Sequence, residues 1–210
     1  MQYLTKNLKF PDVSKTTPEG LLAIGGDLST ERLLLAYRSG IFPWYSQGEP
    51  ILWWSPDPRF VLFPEKLKIS KSMKQLLNKN TFKVTYNTCF EKVIQECSKI
   101  KRKNQEDTWI TQEMIDAYIQ LHKLGYAKSV EVWKDEELVG GLYGVDVNNG
   151  IFCGESMFSK VSNASKYGFI TFIQNTNYKL IDCQVYTEHL ASLGAEGMDR
   201  DVFLSYYPKT

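Results

Sequence analysis

Between Ser129 and Val185 the chain switches between the two hydrophobic periods in an order that few folds accept. Ser129 to Trp133, Leu138 to Val147 and Ile151 to Met157 are β-rich, and the turn signals Lys134-Asp135-Glu136 and Asn148-Asn149-Gly150 separate them. Asn163 then reads as the N-cap of a helix carrying Ser165, Phe169, Phe172 and Ile173, after which Leu180 to Val185 returns to a strand. Hairpin strands, a crossover helix and a further strand predict an α+β sheet.

The preceding stretch is mixed. Phe60 to Phe63 and Phe82 to Tyr86 read as short strands and Ser72 to Leu77 as a helix, while Phe90, Val93, Ile94 and Cys97 recur at helical spacing. Thr111 can cap a helix whose buried face is Ile115, Tyr118, Leu121 and His122 and which Gly125 ends; His122 reads as a packed side chain. The first sixty residues are rich in Gly, Pro and Trp, with one short helix from Ser29 through Leu33, Leu34, Ala36 and Tyr37 to Gly40. They predict a small, loop-rich N-terminal domain over residues 1–62, followed by a larger domain over residues 63–210. No internal repeat or low-complexity linker interrupts them.

Unusual polar residues crowd into the apolar C-terminal half. Glu155 sits among Phe152, Met157 and Phe158, and Asp182 follows Leu180 and Ile181. A carboxylate in such surroundings needs a partner or a job, and each one alone reads equally well as a salt-bridged group at a strand end. Asp182 and Gln184 are two apart, which on a strand points both to the face that carries Leu180. Two polar groups facing one way suggest a site.

Net charge is +1, which excludes a uniformly basic coat but not a local patch. Lys66, Lys68, Lys71, Lys74, Lys79 and Lys83 lie close together with Glu65 as the one acidic residue at their edge, and Lys99-Ile100-Lys101-Arg102-Lys103 follows. Any single lysine there can serve solubility alone; two clusters so close favour a polyanion-binding face. The cysteines Cys89, Cys97, Cys153 and Cys183 have neither metal-ligand nor disulfide-framework spacing. Residues Met1 to Pro11 lack a signal-peptide core, and no apolar run approaches the ~18 residues of a membrane span. A soluble protein of a reducing, cytoplasmic setting is the expectation.

With these motifs in view, the chain resembles the leucyl/phenylalanyl-tRNA–protein transferases from about Phe10 to Phe203. The resemblance rests on Gly20-Leu21-Leu22-Ala23-Ile24-Gly25-Gly26-Asp27-Leu28, Gly40 to Trp44, Trp53 to Arg59, Thr108-Trp109-Ile110, Ser129 to Trp133 and Leu138 to Gly144, and further on Gly154 to Ser159, Asn163 to Lys166, Ile181 to Gln184 and His189 to Ala195. It implies a small N-terminal domain joined to a domain similar to the Gcn5-related acetyltransferases. The implied activity moves Leu or Phe, and also Met, from aminoacyl-tRNA to the α-amino group of proteins beginning with Arg or Lys, marking them for degradation by an N-end-rule protease. No metal or other cofactor is implied.

The resemblance also assigns roles. Asp182 would orient Gln184, Gln184 would engage the incoming amine, and Glu155 would hold the α-amino group of the donor. The donor side chain would enter an apolar pocket of Leu142, Met157, Phe169, Phe172 and Ile181, whose spacing fits ordinary core equally well, and β-branched donors would be disfavoured. Trp44 and Trp109, one from each domain, would stack on the terminal adenosine of the tRNA, while Lys66 to Lys83 would track phosphates. Three features depart from the family pattern: Lys128 stands where members often carry His, Thr176 replaces an aromatic near the pocket, and Lys99 to Asp107 is longer than usual. The chain also stops soon after Phe203 where other members continue, which implies no tRNA contact from a C-terminal extension.

Two rival readings use the same residues. An acetyl-CoA-dependent N-acetyltransferase would place a Gly-rich turn at a helix N-terminus, whereas Gly140-Gly141 and Gly144 fall in a β-rich segment. A non-catalytic tRNA-binding module would use the lysines and tryptophans and leave the carboxylates structural.

Overall fold

The computed structural model describes residues 2–100 and 108–207. In the N-terminal part, β1 (Gln2–Leu4) pairs parallel with β2 (Leu21–Gly25). Helix α1 (Thr30–Arg38) follows, capped by Ser29, whose Oγ accepts the N–H of Arg32 at 3.4 Å. Strands β3 (Phe42–Pro43) and β4 (Leu52–Trp54) complete a sheet of order β1-β2-β4-β3. The composition predicts loops here; the structure finds short strands of two to five residues, too brief for alternation to show between the glycines and prolines. Gly40 does close α1, in a left-handed conformation of φ +69°, and a Cβ there would lie 2.6 Å from Leu204.

The chain then crosses into a larger sheet through β5 (Arg59–Leu62). Helix α2 (Lys71–Asn78), β6 (Lys83–Tyr86), α3 (Phe90–Ser98) and α4 (Gln112–Lys123) follow. Next come β7 (Ala127–Lys134), β8 (Glu137–Asp146), β9 (Ile151–Ser159), α5 (Ala164–Gln174) and β10 (Leu180–Gln184). Helix α6 (Glu188–Ser192), β11 (Glu196–Met198) and α7 (Arg200–Leu204) end the described chain. The seven strands run β11-β5-β10-β9-β8-β7-β6, antiparallel at every pairing except the parallel β9 and β10. The expected hairpins are there: Lys134 pairs with Glu137 across a two-residue turn, with Asp135 at φ 48° and Glu136 at φ 64°.

Helices cover both faces. Tyr143, Val145 and Cys153 join a core with Val93 of α3 and Tyr118 of α4, and this core continues into Leu33 and Tyr37 of α1 and Trp53 of β4. Val130, Val132, Leu142 and Phe152 face the other way, onto Phe169, Ile170, Phe172 and Ile173 of α5. Each such side chain contributes about 1.5–3 kcal/mol of hydrophobic burial. Helix α5 lies very close to the sheet because Gly168 faces Val132, where a Cβ would come within 2.5 Å of its Cγ2.

Three local expectations are answered in detail. Thr111 caps α4, its Oγ1 accepting the N–H of Met114 at 3.3 Å. His122 is a packed residue, stacked 4.4 Å from Phe90 and bonded through Nδ1 to the Ala127 carbonyl at 2.8 Å. Asn163 occupies the N-cap position of α5 but its side chain makes no cap bond, because the residue sits at φ 67°. Ser159 does that work from the end of β9, its Oγ accepting the N–H of Ser165 at 3.2 Å.

Candidate active site

Strands β9 and β10 pair only at Leu180 with Ile151, Ile181 with Phe152 and Asp182 with Cys153. Beyond that point β9 stays with β8, where Ser156, Met157 and Phe158 oppose Tyr143, Leu142 and Gly141. Strand β10 stays with β5 and bulges, so that Asp182 opposes Val61 and Gln184 opposes Phe60. The two strands diverge, and the wedge between them is a cavity of about 460 Å³.

Glu155 and Gln184 sit on the opposite lips of this wedge. Gln184 Nε2 donates to Glu155 Oε1 at 2.8 Å. Tyr37 of α1 donates to the same oxygen at 2.8 Å and Tyr118 of α4 donates to Oε2 at 3.2 Å, and the two phenols also touch each other. Among the described residues the carboxylate is thus furnished with donors but with no formal cation. Burial pushes its pKa up to about 7, against the bonds from Tyr37, Tyr118 and Gln184, which pull it down. Glu131 is a useful contrast. It is also fully buried, but it faces no part of this cavity and its oxygens accept from Ser129 Oγ at 2.6 Å, Thr85 Oγ1 at 2.7 Å and Thr88 Oγ1 at 2.8 Å, which pins the edge strand β6.

Asp182 is held differently. Its Oδ1 and Oδ2 accept from Arg59 Nε at 2.7 Å and Nη2 at 2.6 Å, and Oδ1 also accepts the backbone N–H of Gln184 at 2.9 Å. The sequence suggests that plain strand alternation aligns Asp182 with Gln184. In the structure a bulge at Cys183 brings them together, and Asp182 touches the Gln184 main chain instead of its amide.

The remaining predicted residues fall as follows. Leu142, Met157, Phe169 and Ile181 line the cavity. Phe172 does not: its ring lies behind the wall, 4.6 Å from Phe152 and 5.7 Å from Tyr178, one helical turn beyond Phe169. Trp44 and Trp109 line one end, Trp44 half-buried after β3 and Trp109 buried just before α4. All six lysines from Lys66 to Lys83 are exposed, although Lys66 is committed to Glu196 at 2.5 Å. Lys101, Arg102 and Lys103 of the second basic cluster lie outside the described residues, as does most of the stretch from Lys99 to Asp107.

Several site residues carry no role in the sequence reading. Arg59 appears there only within a Trp- and Pro-rich motif, and Tyr37 and Tyr118 only as helix core. His189 lies on the cavity wall with a buried Nε2 that has no hydrogen-bond partner among the described residues, and burial together with Lys166 lowers its pKa. At the start of α5 the N–H groups of Ala164, Ser165 and Tyr167 are bonded to Val161 O, Ser159 Oγ and Asn163 O. That terminus offers little to a pyrophosphate.

The site is thus a splayed sheet of an α+β protein enclosing an apolar cavity, with a buried carboxylate and an amide joined across it. Comparison with known proteins gives the particular kind. A family model described as leucyl/phenylalanyl-tRNA protein transferase matches residues 61–207, and a model of that family's N-terminal domain matches residues 26–57. The leucyl/phenylalanyl-tRNA–protein transferase of Flavobacterium johnsoniae is 63% identical over 208 residues, covering 98% of each chain. That of Pseudomonas fluorescens is 52% identical over 212 residues, covering 98% of this chain and 93% of the other. Among solved structures, a GCN5-related N-acetyltransferase from Kribbella flavida is similar with a TM-score of 0.38 and 8% identity, covering 79% of this chain and 59% of that one. The chain belongs to the leucyl/phenylalanyl-tRNA–protein transferase family. It is an aminoacyltransferase, taking an amino acid from charged tRNA and passing it to a protein.

Proposed function

We propose that the wedge between β9 and β10 receives the aminoacyl end of Leu-tRNA, Phe-tRNA or Met-tRNA, and that acceptor proteins begin with Arg or Lys. The donor side chain occupies the apolar walls of Leu142, Met157, Phe169 and Ile181, with the adaptable thioether of Met157 suiting more than one shape. The donor's ammonium lies on Glu155, and the adenosine rests against Trp44 and Trp109, where stacking on an aromatic contributes roughly 1–3 kcal/mol. The exposed lysines from Lys66 to Lys83 follow the acceptor stem by charge, without reading its sequence.

The reaction needs little more than alignment. The acceptor's neutral amine attacks the ester carbonyl, the new C–N bond forms, and the bond to the ribose 3′-oxygen breaks. The proton shed by nitrogen balances the one that this oxygen takes up. An α-amino group with a pKa near ~8 is in part neutral at pH 7, so the protein's task is to place it. Gln184, an amide, accepts from that amine through its carbonyl while its Nε2 remains on Glu155. The modified protein is destined for degradation, and the reaction belongs in the cytoplasm, where charged tRNA is found.

The observation that carries this reading is the buried Glu155, which among the described residues has three side-chain donors and no cation while facing an apolar cavity. The test incubates the protein with labelled Leu-tRNA and peptides that differ only in their first residue. Leucine joined to the Arg-initiated and Lys-initiated peptides alone supports the reading; equal labelling of a Ser-initiated peptide contradicts the acceptor assignment.

A further inference from the structure

We propose that Arg59 is a positioning residue of the transfer site, acting through Asp182 on the backbone of Gln184. The inference rests on the role given to Gln184 above.

Arg59 is 1% exposed and Asp182 0% exposed, and they meet through the two-pronged contact of Nε and Nη2 at 2.7 and 2.6 Å. The guanidinium is wedged between two rings, 4.7 Å from the centre of Phe42 and 4.8 Å from that of Phe203. Its plane is therefore fixed by β3 on one side and α7 on the other, while Nη1 is buried without a hydrogen-bond partner. A pair of this kind is a poor way to gain stability alone, because well-packed apolar residues of similar volume do as well or better.

What the pair fixes is Gln184. Asp182 Oδ1, oriented by Arg59 Nε, accepts the Gln184 N–H at 2.9 Å. Gln184 stands at φ 63°, a left-handed conformation that strains a residue with a side chain and persists only where the surroundings impose it. That conformation, together with the bulge at Cys183, carries the amide across the wedge to Glu155 at 2.8 Å. One hydrogen-bonded line thus runs from Arg59 through Asp182 and the Gln184 main chain to Glu155. Lysine cannot replace its first member, since an ammonium lacks the planar fork that sets the carboxylate's angle.

The test uses the full chain with Leu-tRNA and an Arg-initiated peptide, and compares Arg59→Lys, the double variant Arg59→Met with Asp182→Leu, and Gln184→Ala. Steady-state transfer and thermal unfolding are measured for each. Arg59→Lys lowers kcat about 100-fold, the loss that follows a misplacement of the order of 1 Å, while KM for Leu-tRNA stays near the wild-type value. The double variant leaves no charge unpaired, so its Tm stays above that of Arg59→Lys, while its kcat remains far below the wild-type value. Wild-type kcat in either variant, with Gln184→Ala impaired, overturns the role of Arg59 and leaves that of Gln184 standing. A Gln184→Ala protein as fast as the wild type overturns both.

Discussion

Gln184 Nε2 and Glu155 Oε1 lie 2.8 Å apart, on two parallel strands that have already separated. Neighbouring parallel strands ordinarily bond through their main chains. Here the wedge is closed by side chains alone, through the Gln184 to Glu155 bond. On the proposed assignment, Glu155 takes the ammonium and Gln184 the amine within a single hydrogen-bonded unit.

The pH profile should carry the signature of Glu155. Its pKa is about 7, above the 4.5 of an exposed glutamate. Between these values the folded chain binds more protons than the unfolded one, so the group favours folding most below about pH 4.5, and that contribution is lost as pH rises through 7. Donor capture runs the other way, because only the carboxylate holds an ammonium. Transfer should rise along a limb near pH 7 and again near ~8 as the acceptor amine loses its proton. In Glu155→Gln the first limb should vanish while the second remains; a limb near 7 that survives this substitution assigns it to another group.

Tyr37→Phe deletes one of the donors that hold the carboxylate's pKa down. The lower limb should move to higher pH, and the fold should lose about 1–3 kcal/mol, the cost of a buried group left short of a partner. A profile unchanged after this substitution would mean that the phenol is packing and nothing more.

Phe169 and Phe172 separate pocket from core. Phe169→Leu widens the cavity wall and should change the ratio of Phe to Leu transfer by roughly tenfold or more, the scale on which apolar pockets discriminate. Phe172→Leu, behind the wall against Phe152 and Tyr178, should lower Tm and leave that ratio alone. Reversed results would exchange their roles.

The affinity for Leu-tRNA should fall steeply with salt if the lysines meet phosphates. Lys71→Ala and Lys74→Ala should each flatten the plot of log Kd against log salt by about one unit. Lys66→Ala should do less, since its ammonium is already engaged by Glu196 at 2.5 Å. Equal slopes for wild type and variants would remove the lysines from the interface.

Much of the architecture was legible in the sequence because its signals are local. Asn148-Asn149-Gly150 declares a turn, Thr111 a helix start, and the nearly unbroken apolar run from Leu138 to Val147 a strand. Glu155, Asp182 and Gln184 stand out because each is polar in an apolar run. The remaining features depend on contacts that no local pattern encodes. Arg59 meets Asp182 across 123 residues and Tyr37 meets Glu155 across 118, so neither partnership leaves a periodic trace. The bulge at Cys183 likewise cannot be told from ordinary alternation, and Phe172 shares a helix face with Phe169 although only one of them reaches the cavity.

The account stands most directly on where the donor's ammonium rests. A crystal structure with a non-hydrolysable leucyl amide of adenosine should place that nitrogen within about 2.7–3.2 Å of Glu155, the leucine side chain between Met157 and Phe169, and the base against Trp44. An ammonium turned toward solvent, with Glu155 still bonded only to Tyr37, Tyr118 and Gln184, would contradict it.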